Sequence, residues 1–239
     1  MATLDSLTRA ERIEYLTWAV IEHQKWWMAT DYLHFTLIRR NQGEITGSVA
    51  REIAKEYGFI RNVSDKEIDL NACADALNKL KIAWPRTLLD RAHCCRSLAI
   101  KKFDGHTKHR AMSGATKWMW FLRPDGWTLY DNLAAKGLGI HHADTVTRGV
   151  RYYERLDELG FPVYAREIST ALQQHPVHGL FGERTIDKFL MLVGNDQKDR
   201  KYKIESCKAY LRSFPNPLRN QIKQSAERIG RQFGPLLLN

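Results

Sequence analysis

Apolar residues return at steps of three and four along almost the whole chain. In "LTRAERIEYLTWAVIEHQKWW" Ile13, Leu16 and Val20 mark one face. Thr8 and Glu11 there have the spacing of a capping box, in which each side chain satisfies the other residue's backbone N–H. A second helix is predicted over "ITGSVAREIAKEYG", stopped by Gly58. Ser64 with Glu67 opens a third, which runs to about Lys81. Pro85 suits the first turn of a fourth, continued by "RTLLDRAHCCRSLAIKKF". Asp144 is placed to cap "TVTRGVRYYERLDELG", which Gly160 and Pro162 end, and further helices are predicted over 163–173, 183–193, 199–213 and 217–233. No run alternates with period two, and there is no internal repeat or low-complexity linker. The predicted class is all-α, one domain over 1–239 with two helical lobes and a cleft near 105–135.

Composition adds limits. The 239 residues are 44% hydrophobic and 27% charged, which suits a packed globular chain rather than long disorder. No apolar run approaches the roughly 20 residues that span a bilayer, so no membrane association is predicted. The stretch "MATLDSLTRAERIEY" lacks the apolar segment of a secretory signal, and the expected location is the cytoplasm. Cys73, Cys94, Cys95 and Cys207 fit no zinc or iron–sulfur spacing and are expected as free, buried thiols. "HCC", "HHAD" and "HPVHG" share no ligand spacing either, so no metal and no cofactor is predicted. Lys and Arg number 37 against 27 acids, a formal charge of +10 with a pI near 9.5. That balance suits a polyanionic partner, because neutralising phosphates releases condensed counterions.

The densest chemistry lies in "SGATKWMWFLRPDGWTLYD", residues 113–131, where Lys117 stands among aromatic rings and Asp131 closes the segment. A helix from near Gly114 ends before Pro124, and "RPDG" reads as a tight turn. Lys117 lies about 9 Å before the helix end, and an extended "WTLYD" returns roughly 13 Å. The sequence therefore permits Asp131 to come back beside Lys117. On the helix Lys117 shares a face with Trp120 and Phe121, surroundings that favour a neutral amine; alternatively its stem packs on rings with the ammonium in water. Asp131 can equally cap "NLAAKGLG".

"SGATK" followed by an aspartate fourteen positions after the lysine resembles the catalytic segment of the helix-hairpin-helix DNA glycosylases, in particular their 8-oxoguanine-type branch. It is also similar, in general character, to small bacterial glycosylases that act against phage. The resemblance covers about 20 residues and the helical character. It implies a helix-hairpin-helix-like element whose backbone amides hold a DNA phosphate, with Gly114 in the hairpin, Lys117 on the family lysine and Asp131 on the catalytic aspartate. The segment has fewer glycines than the family hairpin and a shorter Lys-to-Asp interval, and no four-cysteine cluster follows, which excludes the iron–sulfur branch. The activity implied is removal of a damaged or modified base from double-stranded DNA, including a modified cytosine of phage DNA, by a monomer, with abasic-site lyase chemistry if Lys117 is the nucleophile. A carboxylate stabilises the sugar cation that develops as the N-glycosidic bond breaks, and an amine can attack the same carbon to give an imine.

Around that centre the expected DNA contacts are Ser113, Gly114, Lys108, His109 and Arg110, the last three in a basic loop with Lys101, Lys102 and His106. Walls for the extruded base are expected from Trp118, Trp120, Trp127 and Tyr130, with selectivity from Trp26, Trp27 or Tyr153 on other helices. Lys198, Arg200, Lys201, Lys203 and Lys208 read as one exposed basic helix face. The competing function is a helical DNA- or RNA-binding protein without catalysis, which needs the charge but neither a buried lysine nor Asp131. A toxin-like ribonuclease or a protein-interaction module is the further alternative, and the expected arginine–histidine pattern of helical ribonucleases is missing.

Overall fold

The computed structural model describes residues 3–63, 66–103 and 112–237. Among them every regular element is helical and no strand occurs. Thr8 caps α1 (Arg9–Trp26) by accepting from the Glu11 N–H while Glu11 returns the bond to the Thr8 N–H at 2.9 Å. A five-residue π-helical segment, Trp27–Asp31, leads into α2 (Tyr32–Arg40). A π turn slips the apolar face around the axis, so the three-four period of α1 does not carry into α2 and the latter is not legible as a separate helix.

Thr46 caps α3 (Gly47–Glu56), and Gly58 takes a positive φ just past its end. The third predicted helix is α4 (Glu67–Ile82), while its proposed opening residue Ser64 lies outside the described residues. The fourth, α5 (Leu88–Ser97), starts later than predicted, because Thr87 rather than Pro85 sets its first turn. The Pro85 carbonyl accepts from Arg91 Nε instead.

The chain continues through α6 (Met112–Leu122), α7 (Asn132–Gly137) and α8 (Thr145–Glu158), where the Asp144 carboxylate takes the Thr147 N–H as predicted. Gly160, at φ 71°, separates α8 from α9 (Phe161–Leu172). The last three helices are α10 (Gly182–Gly194), α11 (Gln197–Arg212) and α12 (Asn216–Phe233). No helix among the described residues is long and apolar enough to cross a membrane.

The chain divides into two compact units. A terminal unit comprises Met1–Met28, Asp131–His141 and Arg155–Asn239, and a middle unit comprises Ala29–Tyr130 and His142–Glu154. In the middle unit α6 is the central helix, touched by α2, α3, α4 and α5. In the terminal unit α10 is central, touched by α1, α7, α9 and α11. The chain passes from one unit to the other at the Tyr130–Asp131 peptide bond, inside the segment that carries the resemblance.

Candidate functional site

In the middle unit the return of the chain along α6 follows the predicted course. Gly126, at φ 62°, and the Trp127 N–H bond to the Pro124 carbonyl close the turn. A side chain there would need a conformation that only glycine takes cheaply. Arg91 clamps this turn by donating Nη1 to the Asp125 and Gly126 carbonyls. Thr116 then holds the returning strand of chain: its carbonyl accepts from Trp127 Nε1 at 3.1 Å and its hydroxyl from the Tyr130 N–H at 3.1 Å.

Lys117 is 5% exposed, one of the few cations among apolar neighbours in this unit. Its Nζ donates to Ser113 Oγ at 2.5 Å and to the Tyr130 carbonyl at 3.2 Å. Ser113 Oγ donates to the same carbonyl at 3.1 Å. That carbonyl belongs to the peptide group whose nitrogen is that of Asp131, so the lysine grips the backbone at the residue immediately before the predicted carboxylate. The ring that faces the amine is Phe59, 5.8 Å from ring centre to Nζ. Trp120 and Phe121, the expected neighbours, turn to Phe35 instead.

Asp131, half-buried, caps α7 through Oδ1, which accepts from the Leu133 N–H at 2.8 Å. Within the terminal unit α7 lies against α10 at a distance that two glycines set. A Cβ on Gly194 would stand 1.9 Å from the Leu133 carbonyl oxygen, and one on Gly137 2.4 Å from that of Leu190. Larger residues would push the capped end of α7 off its support.

Several expectations are corrected. Trp118, Trp120 and Trp127 are fully buried and Tyr130 is 2% exposed. Trp118 donates to the Ala50 carbonyl, Trp127 stacks on Tyr153 at 4.3 Å, and Tyr130 tilts against Tyr152. These rings are core rather than pocket walls, because an apolar ring gains most by leaving water altogether. Tyr153 is likewise buried, with its hydroxyl on the Thr128 carbonyl, and Trp27 packs edge-on against Phe181. Gly114 stands buried within the first turn of α6 rather than in a hairpin before it, and Ser113 is committed to Lys117 and Tyr130. Lys108, His109 and Arg110, with His106, lie outside the described residues.

The basic face of α11 is also corrected. Arg200 donates to the carbonyls of Leu192, Val193 and Asn195 and to Tyr15 Oη, so it caps the C-terminal end of α10. Lys203 stands 4.0 Å from the buried Glu22, and Lys208 pairs with Glu205. Lys198 and Lys201 remain exposed.

The sequence gives no warning of the polar interior of the terminal unit. Glu183, Arg184, Asp187 and Lys188 are all buried on α10, although four ionisable groups in thirteen residues read as a solvated helix. Arg184 pairs with Asp187. Lys188 Nζ lies 4.1 Å over the half-buried Trp26 ring, whose Nε1 donates to Glu22 Oε1 at 2.9 Å. Burial works to raise the Glu22 pKa, but the charges of Lys188, Lys25 and Lys203 and the Cys207 thiol outweigh it and hold the carboxyl below its ordinary value. Thr185 gives its hydroxyl hydrogen to the Phe181 carbonyl, so it accepts from His23 Nδ1. Burial, then the Arg184 and Lys188 charges, push His23 well below the ordinary imidazole value. Burial, then Arg228 and His178, push His175 down to about 4, where it sits between Ser225 and Gln24.

The thiols of Cys73, Cys95 and Cys207 are free and buried, and Cys94 is half-buried. No group of three or more His, Cys, Asp or Glu among the described residues is arranged to hold a metal ion. No protein-family model matches the chain, and neither a curated protein nor a solved structure is found to match it. Function is therefore read from the residues themselves.

Proposed function

We propose that the protein is a DNA glycosylase that excises a damaged or modified base, with Asp131 as the carboxylate at the reacting sugar. The observation that carries this reading is the Lys117–Tyr130 carbonyl bond, which fixes the backbone immediately before Asp131 from a buried, well-packed helix. A carboxylate must be held to within a fraction of an ångström of the developing sugar cation, and support from a rigid helix achieves that. The net charge of +10 supports DNA as the partner.

Lys117 is a positioning residue in this scheme. An attacking amine needs an available lone pair and access to the sugar, whereas this one is 5% exposed and engaged by two oxygens. Water is then the nucleophile. Its oxygen bonds to the sugar carbon, the N-glycosidic electron pair leaves with the base, and Asp131 orients the water and takes its proton. A modified cytosine of phage DNA belongs to the substrates to be tried first.

The test is incubation with duplexes carrying a panel of damaged and phage-type modified bases, followed by alkaline cleavage at abasic sites. Asp131→Asn keeps a cap on α7 but removes the charge, and should lower excision about a hundredfold or more while DNA binding persists. Near-normal excision by a folded Asp131→Asn protein removes Asp131 from the chemistry. Binding without excision on any substrate returns the non-catalytic DNA-binding reading. Borohydride should trap no protein–DNA adduct; a trapped adduct that Lys117→Gln abolishes makes the lysine the nucleophile instead.

A further inference from the structure

The outward face of α4, in the middle unit, carries a seam that nothing in the proposed function uses. Leu70, Cys73, Ala74 and Leu77 turn inward and are buried. On the other side Ile68, Ala72, Asp75, Lys79 and Ile82 follow one another at steps of four, three, four and three. That is the alternation of a coiled-coil seam, in which positions repeating every 3.5 residues stay on one line facing a second helix. Ile68 is 74% and Ile82 83% exposed, among the most exposed large hydrophobic residues of the chain. Beside the seam runs a groove of about 560 Å³, lined by Ala72, Ala76 and Leu80 of α4, by Cys94 and Ser97 of α5, and by Leu98 just past the end of α5. The charged seam residues Asp75 and Lys79, which also line it, are exposed, and among the described residues neither has an ion-pair partner.

From this seam we infer that α4 is a homodimer interface, in which two copies of the chain pair antiparallel through a two-fold axis. The charges choose the occupant and its direction. With Ala72 and Lys79 at one class of seam position and Ile68, Asp75 and Ile82 at the other, antiparallel helices set one class against the other. The register that places Lys79 against the partner's Asp75 also places Ala72 against the partner's Ile82. The two-fold repeats both contacts. Ile82 of each copy then enters the groove at the point where the partner's alanine leaves room for it, and Asp75 and Lys79 each meet their opposite charge. A parallel pairing would stack Asp75 on Asp75 and Lys79 on Lys79, which like-charge repulsion forbids. A sixteen-residue helix and the α5 rim make a small interface, so the dimer is expected in the micromolar range and replaces the monomer expected from sequence.

Sedimentation velocity on the full chain from about 1 to 300 μM should show a monomer–dimer equilibrium. Ile82→Glu should raise the dissociation constant more than tenfold, and so should Asp75→Lys or Lys79→Asp alone, with helical circular dichroism and melting temperature retained. The charge-swapped double variant, Asp75→Lys with Lys79→Asp, should restore association to within a few fold of wild type. That rescue is specific to the antiparallel register, because the swapped charges again face their opposites. A chain monomeric at every concentration overturns the inference and leaves the groove to a helix of another protein. A dimer indifferent to Ile82→Glu, or one that the double swap fails to rescue, overturns the register.

Discussion

Each unit is built on one central buried helix, and the two helices handle charge in opposite ways. The α6 helix, "MSGATKWMWFL", carries a single charged residue, Lys117, whose ammonium donates to two neutral oxygens, Ser113 Oγ and the Tyr130 carbonyl. The α10 helix, "GERTIDKFLMLVG", carries four ionisable groups and answers charge with charge, Arg184 on Asp187 and Lys188 beside Glu22 and Trp26. Neutral oxygens tolerate the loss of a cation, because they can satisfy each other. A buried ion does not tolerate the loss of its counter-ion, which leaves its desolvation cost without an offset.

The largest effect expected from that contrast is on α10. Asp187→Ala should cost about 3–5 kcal/mol in chemical unfolding, since Arg184 keeps its charge in the interior without this carboxylate. Replacing both, Arg184→Met with Asp187→Leu, should recover most of the loss. A double variant as unstable as the single one would show that the pair's hydrogen bonding to its surroundings, not charge compensation, is what α10 needs.

Next in size is a pH effect of the buried histidines, led by His175 and His23 of the terminal unit, with His34 of the middle unit lowered by burial as well. The unfolded chain takes a proton on His175 near 6.5, whereas the folded chain resists until about 4. Stability is therefore fully present above about pH 6.5, falls as the pH drops from there to about 4, and levels below. The loss should reach roughly 3 kcal/mol, with His23 acting in the same direction. Melting temperatures at intervals from pH 7.5 to 4 would show it, and His175→Gln should flatten the slope. An unchanged slope in that variant would move the titration to another group.

The smallest is on α6. Lys117→Met removes the amine, yet Ser113 Oγ still donates to the Tyr130 carbonyl, so the cost should be about 1–2 kcal/mol. Because the lysine supports the backbone next to Asp131, excision should fall further than stability does, with kcat reduced and KM nearly kept. A rise in KM with kcat unchanged would place Lys117 in DNA binding rather than in positioning.

Much of the local structure was legible because it depends on neighbours in sequence. The Thr8–Glu11 capping box, the Asp144 cap, the stop at Gly58 and the "RPDG" turn are contacts within four residues, and each occurs where its residues required it. The out-and-back path of residues 113–131 was legible for the same reason, since helix rise and turn length fix where the chain returns. Burial was not. Trp118, Trp120 and Trp127 read equally well as pocket or core until Phe59, Phe35 and Tyr153 arrive from distant segments to cover them. The charges of α10 read as a solvated face until Glu22 and Trp26 of α1 and Ser169 of α9 meet them, and Arg200 reads as surface until it folds back on the carbonyls of α10. The chain alone determined most of the helices and their capped ends, because propensity and capping act over a single turn, while the π turn that sets off α2 escaped it. Which of their faces lost water was decided only by tertiary packing, because the atoms that exclude water come from residues far away in sequence.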